Sequence, residues 1–286
     1  MRKILIETLC QLARQNEQIV LLTGDLGYTV IEPFAEEFPD RFYNVGVAEQ
    51  NMMGMATGLA EAGYIPFVYS IVTFATLRAY EFIRNGPVWH NLPVRILSIG
   101  GGLEYGTLGL THYGLEDIGM MRLQPNMTVL VPADNLQLKT MLKKTWSLPG
   151  PIYYRISKYD ARVVGLRGRF GLGRLQLIRH SPKAKILILT TGAITKEVMA
   201  IKTDCSVGII SSISPAPVRQ LKQLLSKFEL VMTVEAHYLS TGIGSLVAEV
   251  IGDYNLPCRL VRCGVKTINQ FIGSEAYLHK AYKISS

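Results

Sequence analysis

Residues 41–51 read Arg41-Phe42-Tyr43-Asn44-Val45-Gly46-Val47-Ala48-Glu49-Gln50-Asn51. The spacing of apolar and polar positions predicts a short strand over 41–45 and a helix over 48–62. A strand that leads directly into a helix is the building unit of parallel sheets. The fold class therefore depends on whether this unit recurs in the rest of the chain.

The same strand–helix unit recurs on both sides of this segment. Before it, Leu5, Leu9 and Leu12 have helical spacing, and Ile19–Leu22 is a continuous apolar strand. A helix is predicted over 73–85, and another after the capping residue Asp134. Further strands are predicted at 65–69, 94–99, 127–131, 151–155, 186–190, 207–210, 230–234 and 258–262. The sequence thus predicts an α/β protein with two open, mostly parallel sheets, each covered by helices on both faces.

A basic, glycine-rich stretch interrupts the alternation. Residues 161–184 contain Gly165, Gly168, Gly171 and Gly173, and glycine clusters of this kind are typical of connections. We therefore expect a first domain at 1–160 and a second at 185–286, joined by a linker at 161–184.

The composition excludes several classes of protein. Of 286 residues, 48% are hydrophobic, which argues against extended disorder. Thirty Lys and Arg against 22 Asp and Glu give a net charge of +8, but the densest basic stretch, 162–179, has no motif that reads nucleic acid. No apolar run approaches the ~20 residues that cross a bilayer, and the four cysteines lack paired spacing. We expect a soluble cytoplasmic protein with reduced thiols, and neither nucleic acid nor a membrane as its partner.

Ligands of parallel sheets bind beyond the carboxyl ends of the strands. Four segments fall there: Gly24-Asp25, Val47–Glu49, Gly100–His112 and Arg155. Glu49 has two interpretations. It is either an acidic residue in the first turn of a helix, where the helix dipole favours it, or a carboxyl that donates a proton in an apolar cleft. The residue type and position alone favour the first.

His112 and Arg155 also have two interpretations each. A lone histidine is most often a surface residue, but one that ends a glycine-rich loop is a better candidate for a functional contact. Arg155 is either a surface arginine or an anion contact, because a guanidinium matches the geometry of phosphate.

Motifs that would hold a nucleotide or a metal are missing from the sequence. Gly242-Ile243-Gly244 precedes a helix but lacks the third glycine of a dinucleotide fingerprint. There is no Walker motif, and no set of His, Cys and carboxylate residues has metal-ligand spacing. We therefore expect no metal ligands in this chain, and no diphosphate held by this chain alone.

Several short motifs, spread over almost the whole chain, resemble the pyrimidine-binding and C-terminal domains of transketolases. They are Thr23-Gly24-Asp25-Leu26, the segment 41–51 quoted above, Arg78-Ala79-Tyr80-Glu81, Thr111-His112, Leu115-Glu116-Asp117, Pro125-Asn126-Met127-Thr128-Val129, Val234-Glu235-Ala236-His237 and Gly242-Ile243-Gly244-Ser245. The combination is more specific than any one of them.

The resemblance implies a thiamine diphosphate enzyme that transfers a two-carbon ketol unit from a ketose or ketose phosphate to an aldehyde. A full-length transketolase has a further domain in front, whose Gly-Asp-Gly…Asn motif holds Mg²⁺ and the diphosphate. This sequence has no such motif, and its first residue matches the start of the pyrimidine domain. We therefore expect the second subunit of a split transketolase, whose N-terminal partner subunit supplies Mg²⁺ and the diphosphate site, in an α2β2 heterotetramer.

The resemblance also assigns roles to individual residues. Glu49 would share a proton with N1′ of the aminopyrimidine ring, which activates C2 of the thiazolium ring for attack on the donor. Phe74 would stack on the aminopyrimidine. The other expected contacts are Asp25, Val47, Ile71 and Leu77 for the cofactor, and His112 for catalysis.

The substrate contacts depart from the family pattern. Gly100 and Leu108 occupy positions where transketolases carry a histidine and an aspartate. His112 and Arg155 are retained, and Thr29 lies where a phosphate-contacting serine is common. Because a pocket that loses polar groups discriminates differently between substrates, we expect carbon–carbon bond chemistry on an atypical substrate.

Three alternatives stay open. The chain resembles, less closely, the β subunit of a 2-oxoacid dehydrogenase or a deoxyxylulose-phosphate synthase, which share the two-domain layout. It could also be a non-catalytic assembly subunit that kept the fold. A nucleic-acid binder, suggested by charge alone, would show steeply salt-dependent binding.

Overall fold

The computed structural model describes residues 1–268 and 270–284, which form two open sheets with helices on their faces. The first sheet contains β1 (Ile19–Thr23), β2 (Phe42–Asn44), β3 (Ile65–Ile71), β4 (Arg95–Ile99), β5 (Thr128–Leu130), β6 (Ile152–Ile156) and β10 (Ser212–Ser214). The second contains β7 (Gln176–Arg179), β8 (Ile186–Thr190), β9 (Ser206–Ile209), β11 (Leu230–Tyr238) and β12 (Arg259–Val265). The prediction of an α/β fold with two mostly parallel sheets is confirmed.

The helices follow the strands as the sequence alternation requires. They are α1 (Arg2–Gln15), α2 (Glu32–Glu37), α3 (Glu49–Glu61), α4 (Tyr80–Ile83), α5 (Asp117–Arg122), α6 (Asn135–Thr145), α7 (Thr195–Ala200), α8 (Val218–Leu225), α9 (Ile243–Asp253) and α10 (Glu275–Ala281). Asp134 caps α6 as predicted, because its carboxylate accepts the Gln137 N–H at 2.8 Å. Within residues 1–268 and 270–284, no helix combines the length and the apolarity needed to cross a membrane.

The strand order of the first sheet is β10-β5-β6-β4-β3-β1-β2. All its neighbours pair in parallel except β10, which runs antiparallel to β5. The strands β1, β4 and β6 are buried at every residue because helices cover both faces. The carboxyl ends of β1, β2 and β3 therefore meet at one edge, where α3 begins.

One buried cluster continues from the first sheet into the second domain. It includes Val68 and Ile96 on the first sheet, Leu189 on the second, and Leu221 and Val247 on helices of the second domain. The two domains therefore share a hydrophobic core, although the sequence alternation suggests two separate units.

The chain differs from the predicted elements in two regions. In place of a regular helix over 73–85, a wide π-helical turn at Phe74–Arg78 leads into α4, and a second such turn follows at Arg84–Val88. Pro87 lies in the second turn, where its missing N–H cannot continue an α-helical ladder. Apolar spacing alone does not distinguish such turns from an α-helix, since both show recurrent apolar positions.

The segment 161–184, predicted to be a linker because of its glycines, contains a strand. Residues 176–179 form β7, which pairs antiparallel with β9 at the edge of the second sheet. Conversely, β10 follows β9 in the chain but pairs with β5 of the first sheet. The domain boundaries at 160 and 185 stay predictions.

Candidate functional site

Glu49 lies where β1, β2 and β3 end, at the first residue of α3. Its side chain is 1% exposed. Carboxylate atom Oε2 accepts a hydrogen bond from Nη1 of Arg78 at 2.7 Å, and Oε1 accepts a longer one from Oγ of Ser70 at 3.4 Å. A Cβ at Gly24 would lie 3.4 Å from Oε1, so the glycine lets the chain after β1 pass close to the carboxylate. Glu49 is thus both in a first helical turn and buried at the edge of the sheet.

Aromatic rings continue outward from the Glu49–Arg78 ion pair. The guanidinium of Arg78 lies over the ring of Phe74, 4.6 Å from its centroid. The Phe74 ring meets the His112 ring edge-on, with 5.1 Å between centroids, and His112 lies 6.0 Å from the Tyr105 ring. The structure therefore brings the predicted residues Glu49, Phe74 and His112 together through side-chain contacts.

His112 is held in place by its neighbours. Oγ1 of Thr73 donates to the backbone oxygen of Thr111 at 3.1 Å, and Oγ1 of Thr111 lies 2.9 Å from Nδ1 of His112. Partial burial lowers the pKa of His112 below its ordinary value of 6.5. The imidazole is therefore neutral at neutral pH and can either donate or accept a hydrogen bond.

The remaining expected cofactor contacts lie on the same elements. Ile71 ends β3 and is half-buried, and Leu77, in the π-helical turn with Phe74, is 41% exposed. Val47 precedes α3 and is 71% exposed. Val47 and Leu77 are therefore exposed apolar groups close in the chain to Glu49 and Phe74.

Asp25 is tied to the segment before Glu49 by Asn44. The Asp25 carboxylate accepts from Nδ2 of Asn44 at 3.0 Å and from the Tyr28 hydroxyl at 2.7 Å, and these hydrogen bonds hold its pKa below the usual range. Oδ1 of Asn44 in turn accepts the N–H groups of Asp25 and Gly46. The loops after β1 and β2 are therefore joined beside the site.

Thr29 lies farther along the loop after β1. It has a positive φ of 67°, and its N–H donates to Oε1 of Glu32 at 2.6 Å. Its side chain is exposed. No contact in the described residues connects Thr29 with Glu49, so its role as a substrate contact stays a prediction.

Tyr105 explains the glycine at position 100. A Cβ at Gly100 would come within 2.0 Å of the Tyr105 ring, and Gly100 has a φ of +80°. The tyrosine therefore occupies the space that a larger side chain at position 100 would need. Leu108 ends the 3-10 turn after Tyr105 and is 54% exposed.

Arg155 is buried, so its interpretation as a surface arginine is wrong. Its Nε donates to Oδ2 of Asp117 at 2.8 Å, and its Nη2 donates to the backbone oxygens of Gly114 and Ala236 at 2.8 and 3.0 Å. Ala236 belongs to β11 of the second sheet, so the guanidinium joins the two domains. An anion contact through Nη1, its other terminal nitrogen, stays a prediction.

The backbone of the Gly242-Ile243-Gly244 segment is hydrogen-bonded by a side chain of the same chain. The Glu235 carboxylate accepts the N–H groups of Ile243 and Gly244, both at 2.8 Å, at the start of α9. Burial raises the pKa of Glu235 to about 7. The backbone donors that could bind a phosphate are therefore already occupied by a side chain of the same chain.

Some residues of the site were not assigned a role from the sequence. Arg78 is part of a quoted motif, but nothing in the motif shows that it pairs with a residue 29 positions away. No sequence motif or pattern indicates a functional role for Tyr105 or Ser70. In residues 1–268 and 270–284, no group of three or more His, Cys, Asp and Glu side chains is arranged to hold a metal.

Comparison with family models matches two successive regions of the chain. Residues 1–163 match "Transketolase, pyrimidine binding domain", and residues 175–286 match "Transketolase, C-terminal domain". Between them, these matches cover both sheets.

Individual relatives agree with these matches. The "Putative transketolase C-terminal section" of Methanocaldococcus jannaschii is 35% identical, over 99% of this chain and 91% of the relative. The "6-deoxy-6-sulfo-D-fructose transketolase subunit SqwH" of Clostridium sp. (strain MSTE9) is 30% identical, over 100% of this chain and 91% of the relative. A solved structure titled "Split gene transketolase, inactive beta4 tetramer" superposes with a TM-score of 0.86 at 32% identity, covering 99% of this chain and 93% of that one.

Proposed function

Because the chain belongs to the transketolase family, we propose that it is one subunit of a thiamine diphosphate-dependent transketolase. The enzyme would transfer a two-carbon ketol unit from a ketose donor to an aldehyde acceptor. The observation that carries this proposal is the buried Glu49 carboxyl at the carboxyl edge of the sheet. It is bound by Arg78, which lies over the Phe74 ring, and that ring in turn contacts His112.

The residues around Glu49 fit the aminopyrimidine half of thiamine diphosphate. A flat heterocycle with a ring nitrogen needs a carboxyl, an aromatic face and an apolar surround. Glu49 provides the carboxyl and Phe74 the aromatic face. The apolar surround comes from Ile71, Leu77 and Val47. Gly24, which has no side chain, adds no side-chain atom beside Oε1.

Each residue has a distinct task in this proposal. Glu49 holds the proton at the ring nitrogen N1′, and Arg78 orients the carboxyl through its hydrogen bond to Oε2. Phe74 keeps the ring oriented, and neutral His112 can hydrogen-bond a substrate hydroxyl or carbonyl. The cofactor, when bound, supplies the carbon nucleophile and stores the electron pair of the broken carbon–carbon bond.

We further propose that a separate N-terminal subunit supplies the diphosphate site and its Mg²⁺, with an α2β2 assembly. No metal-holding cluster exists in the described residues, and the N–H groups of Ile243 and Gly244 at the start of α9 are already bound by the Glu235 carboxylate. Apolar and small residues are exposed on one side of α3 and the adjoining turns, which gives a partner a surface to cover. They are Val47, Gly54, Met55, Gly58, Leu77 and Phe82. The names of two relatives, a "C-terminal section" and a "subunit", are in keeping with a divided enzyme.

The substrate proposed here is atypical for the family. Glycine and leucine replace two polar residues at positions 100 and 108, and Tyr105 covers the first of these positions. A ketose that does not need those two polar contacts fits this arrangement best.

The proposal is tested by co-producing the chain with a transketolase N-terminal subunit and assaying a panel of ketose donors. Glu49→Gln should lower kcat by about 100-fold to 10,000-fold, because proton transfer at a positioned carboxyl contributes about that much. Glu61→Gln, at the other, exposed end of α3, is the matched control and should keep the wild-type rate.

Two results would contradict the proposal. Turnover of pyruvate without turnover of any ketose would assign the chain to another class of thiamine diphosphate enzyme. A Glu49→Gln complex with the wild-type rate would indicate a subunit that assembles without taking part in the chemistry.

A further inference from the structure

The second domain has a cavity that shares no lining residue with the Glu49 site. It has a volume of about 390 Å³ and lies at the carboxyl end of β12, the edge strand of the second sheet. One wall comes from residues between 262 and 267, and the other from residues 281–283 at the end of α10. Because ligands of parallel sheets bind at the carboxyl ends of the strands, this is a position at which the second domain can hold a ligand of its own.

The charge around this cavity is positive. Three cationic side chains line it, Arg262, Lys266 and Lys283, and no Asp or Glu side chain of the described residues does. Within residues 1–268 and 270–284, none of the three forms an ion pair with a carboxylate. A concave surface lined by one sign of charge attracts ligands of the opposite sign, so the cavity favours an anion.

Arg262 is held in position by the protein. Its Nη1 donates to the backbone oxygen of Leu239 at 3.2 Å and lies 3.5 Å from Oγ of Ser245. A Cβ at Gly244 would lie 2.9 Å from Cδ of Arg262, so the glycine lets the arginine stem pack against α9. In the part of the chain that the structure describes, Nε and Nη2 have no hydrogen-bond partner. The guanidinium is therefore fixed and still has donors for a phosphate, whose geometry it matches.

Lys283 occupies a backbone position that favours glycine. It follows the last residues of α10 with a φ of +56°, in the left-handed region. Its N–H donates to the oxygen of Lys280 at 3.1 Å, and the N–H of Ile284 donates to the oxygen of His279 at 2.9 Å. Helices that end with this pair of hydrogen bonds usually have glycine at the left-handed position, because a side chain is strained there. The backbone therefore gives no reason for a lysine, whereas a charge at the edge of the cavity does.

The negative groups near the cavity are already engaged. Glu235 lies behind its wall, since a Cβ at Gly264 would lie 3.2 Å from Cγ of Glu235. Both oxygens of the Glu235 carboxylate accept N–H groups of α9, and burial raises its pKa to about 7, so it carries only part of a full charge at neutral pH. The carbonyl groups that end α10, which would repel an anion, are bonded by the N–H groups of Lys283 and Ile284. Most of the positive charge at the cavity is therefore uncompensated.

We propose that this cavity binds a phosphate monoester, with Arg262, Lys266 and Lys283 around the phosphate group. The hydroxyl of Thr267, which also lines the cavity, adds a hydrogen-bond donor. A volume of about 390 Å³ lies at the small end of the ~300–1,000 Å³ that ligand sites span, which suits a phosphate with one small organic group. The inference does not rest on the proposed transketolase function, because no residue assigned to that reaction takes part.

The test measures binding to the full chain by isothermal titration calorimetry at low ionic strength. The ligands are inorganic phosphate, glycerol 3-phosphate and AMP, with glycerol and adenosine as their uncharged counterparts. At least one of the two esters should bind, the uncharged compounds should not, and the affinity should fall as salt is added, because exposed charges are screened. Tighter binding of AMP would identify a nucleotide site, and tighter binding of glycerol 3-phosphate a site for a smaller ester.

Lys283→Gly is the most informative variant, because it removes the charge and at the same time relieves the backbone. It should weaken binding of the preferred ester by about tenfold, as expected when a charge-assisted hydrogen bond is lost, while Tm stays the same or rises. Lys283→Arg should keep most of the affinity, and Lys266→Met should lower it as Lys283→Gly does. Lys280→Met, at an exposed lysine of α10 outside the cavity, is the matched control and should bind like the wild type. Weaker binding without lower stability is a result that a purely structural lysine would not give.

Several results would overturn the proposal. Neither ester binding at all, or adenosine or glycerol binding as tightly as its phosphate ester, would exclude a phosphate site. Equal affinities for the wild type, Lys283→Gly and Lys266→Met would place the bound anion elsewhere on this basic chain. A loss in Lys280→Met as large as that in Lys283→Gly would indicate an effect of overall charge. None of these results depends on turnover of a ketose, so they leave the proposed function to its own test.

Discussion

At the scale of single residues, the Glu49–Arg78 ion pair is asymmetric. Glu49 is 1% exposed while the Arg78 side chain is 44% exposed. Removing Arg78 therefore leaves a buried carboxyl without its cationic partner, which is costly, but solvent already screens part of the interaction.

Arg78→Met should destabilise the folded chain by about 1 kcal/mol, after allowance for the exposure of the arginine. It should also lower the activity of the complex, because Glu49 loses the group that orients its carboxylate. Arg78→Lys should recover part of both losses. Urea unfolding and kcat are measured for Arg78→Met and for the control Arg84→Met, which lies on the following turn. Equal unfolding curves for the two variants would contradict the predicted loss of stability.

His237 makes stability depend on pH. It is fully buried, and burial lowers its pKa from the ordinary 6.5 to about 4. Between these two values the unfolded chain binds a proton that the folded chain does not. The stability contributed by neutral His237 is therefore complete above about pH 6.5 and is lost progressively as the pH falls toward 4, by up to about 3 kcal/mol.

His237→Gln, which cannot take up that proton, should flatten the loss of stability between about pH 6.5 and pH 4. Urea unfolding of both proteins at several pH values in this range measures the slope. His180→Gln, at an exposed histidine, should keep the wild-type slope. A His237→Gln protein with the wild-type slope would show that other groups control the acid limb.

Much of the site could be predicted at this scale, and the limits are physical. Glu49 and His112 belong to short motifs, Phe74 lies four residues before another, and the fold brings these segments together at the edge of one sheet. The partners of Arg155 lie 38, 41 and 81 residues away. A local pattern carries no information on such partners, so the interdomain contacts of Arg155 could not be predicted.

At the scale of elements, the start of α9 depends on a glycine. A Cβ at Gly242 would lie 1.7 Å from Oε2 of Glu235, the carboxylate that accepts two N–H groups of the helix. The sequence indicated a helix here but not why a glycine immediately precedes it. The close approach of the Glu235 carboxylate supplies the reason.

Gly242→Ala should destabilise the second domain by about 1–3 kcal/mol, because the carboxylate must move away from the helix N-terminus. Gly252→Ala, in the last turns of the same helix, is the matched control. No atom lies within 4 Å of a Cβ there, so this substitution should be neutral or stabilising by about 0.5–1 kcal/mol through helix propensity. Thermal unfolding of the two variants, expected to shift in opposite directions, checks the argument; a destabilisation of equal size in both would contradict it.

The prediction of strands and helices from the sequence succeeded for continuous apolar strands and failed for short edge strands and π-helical turns. The continuous apolar strands β1, β4 and β8 have nearly their predicted bounds. β7 and β10 are edge strands of four and three residues, too short for a pattern to separate them from loops. The π-helical turns around α4 share apolar recurrence with an α-helix, and their extra residue per turn has no sequence signature.

At the scale of the whole molecule, the two domains act as one body around the site. Arg155 bridges Asp117 and the backbone of β11, and a shared apolar core continues between the sheets. The loop that carries His112 is also held from the second domain, because the Gly273 N–H donates to the oxygen of Gly106, and the Tyr113 hydroxyl donates to the oxygen of Phe271. The second domain thus holds the loop that carries His112 in the proposed site, while Val47 and Leu77 are exposed.

The most direct test of the account is the rate at which the C2 proton of thiamine diphosphate exchanges with deuterium, followed by acid quench and NMR. The complex of this chain with an N-terminal subunit should accelerate exchange strongly, and the Glu49→Gln complex should lose about 100-fold or more of that acceleration. The Glu61→Gln complex should match the wild type, and this chain alone should accelerate nothing. Undiminished exchange in the Glu49→Gln complex, or full acceleration by this chain without a partner, would contradict the account.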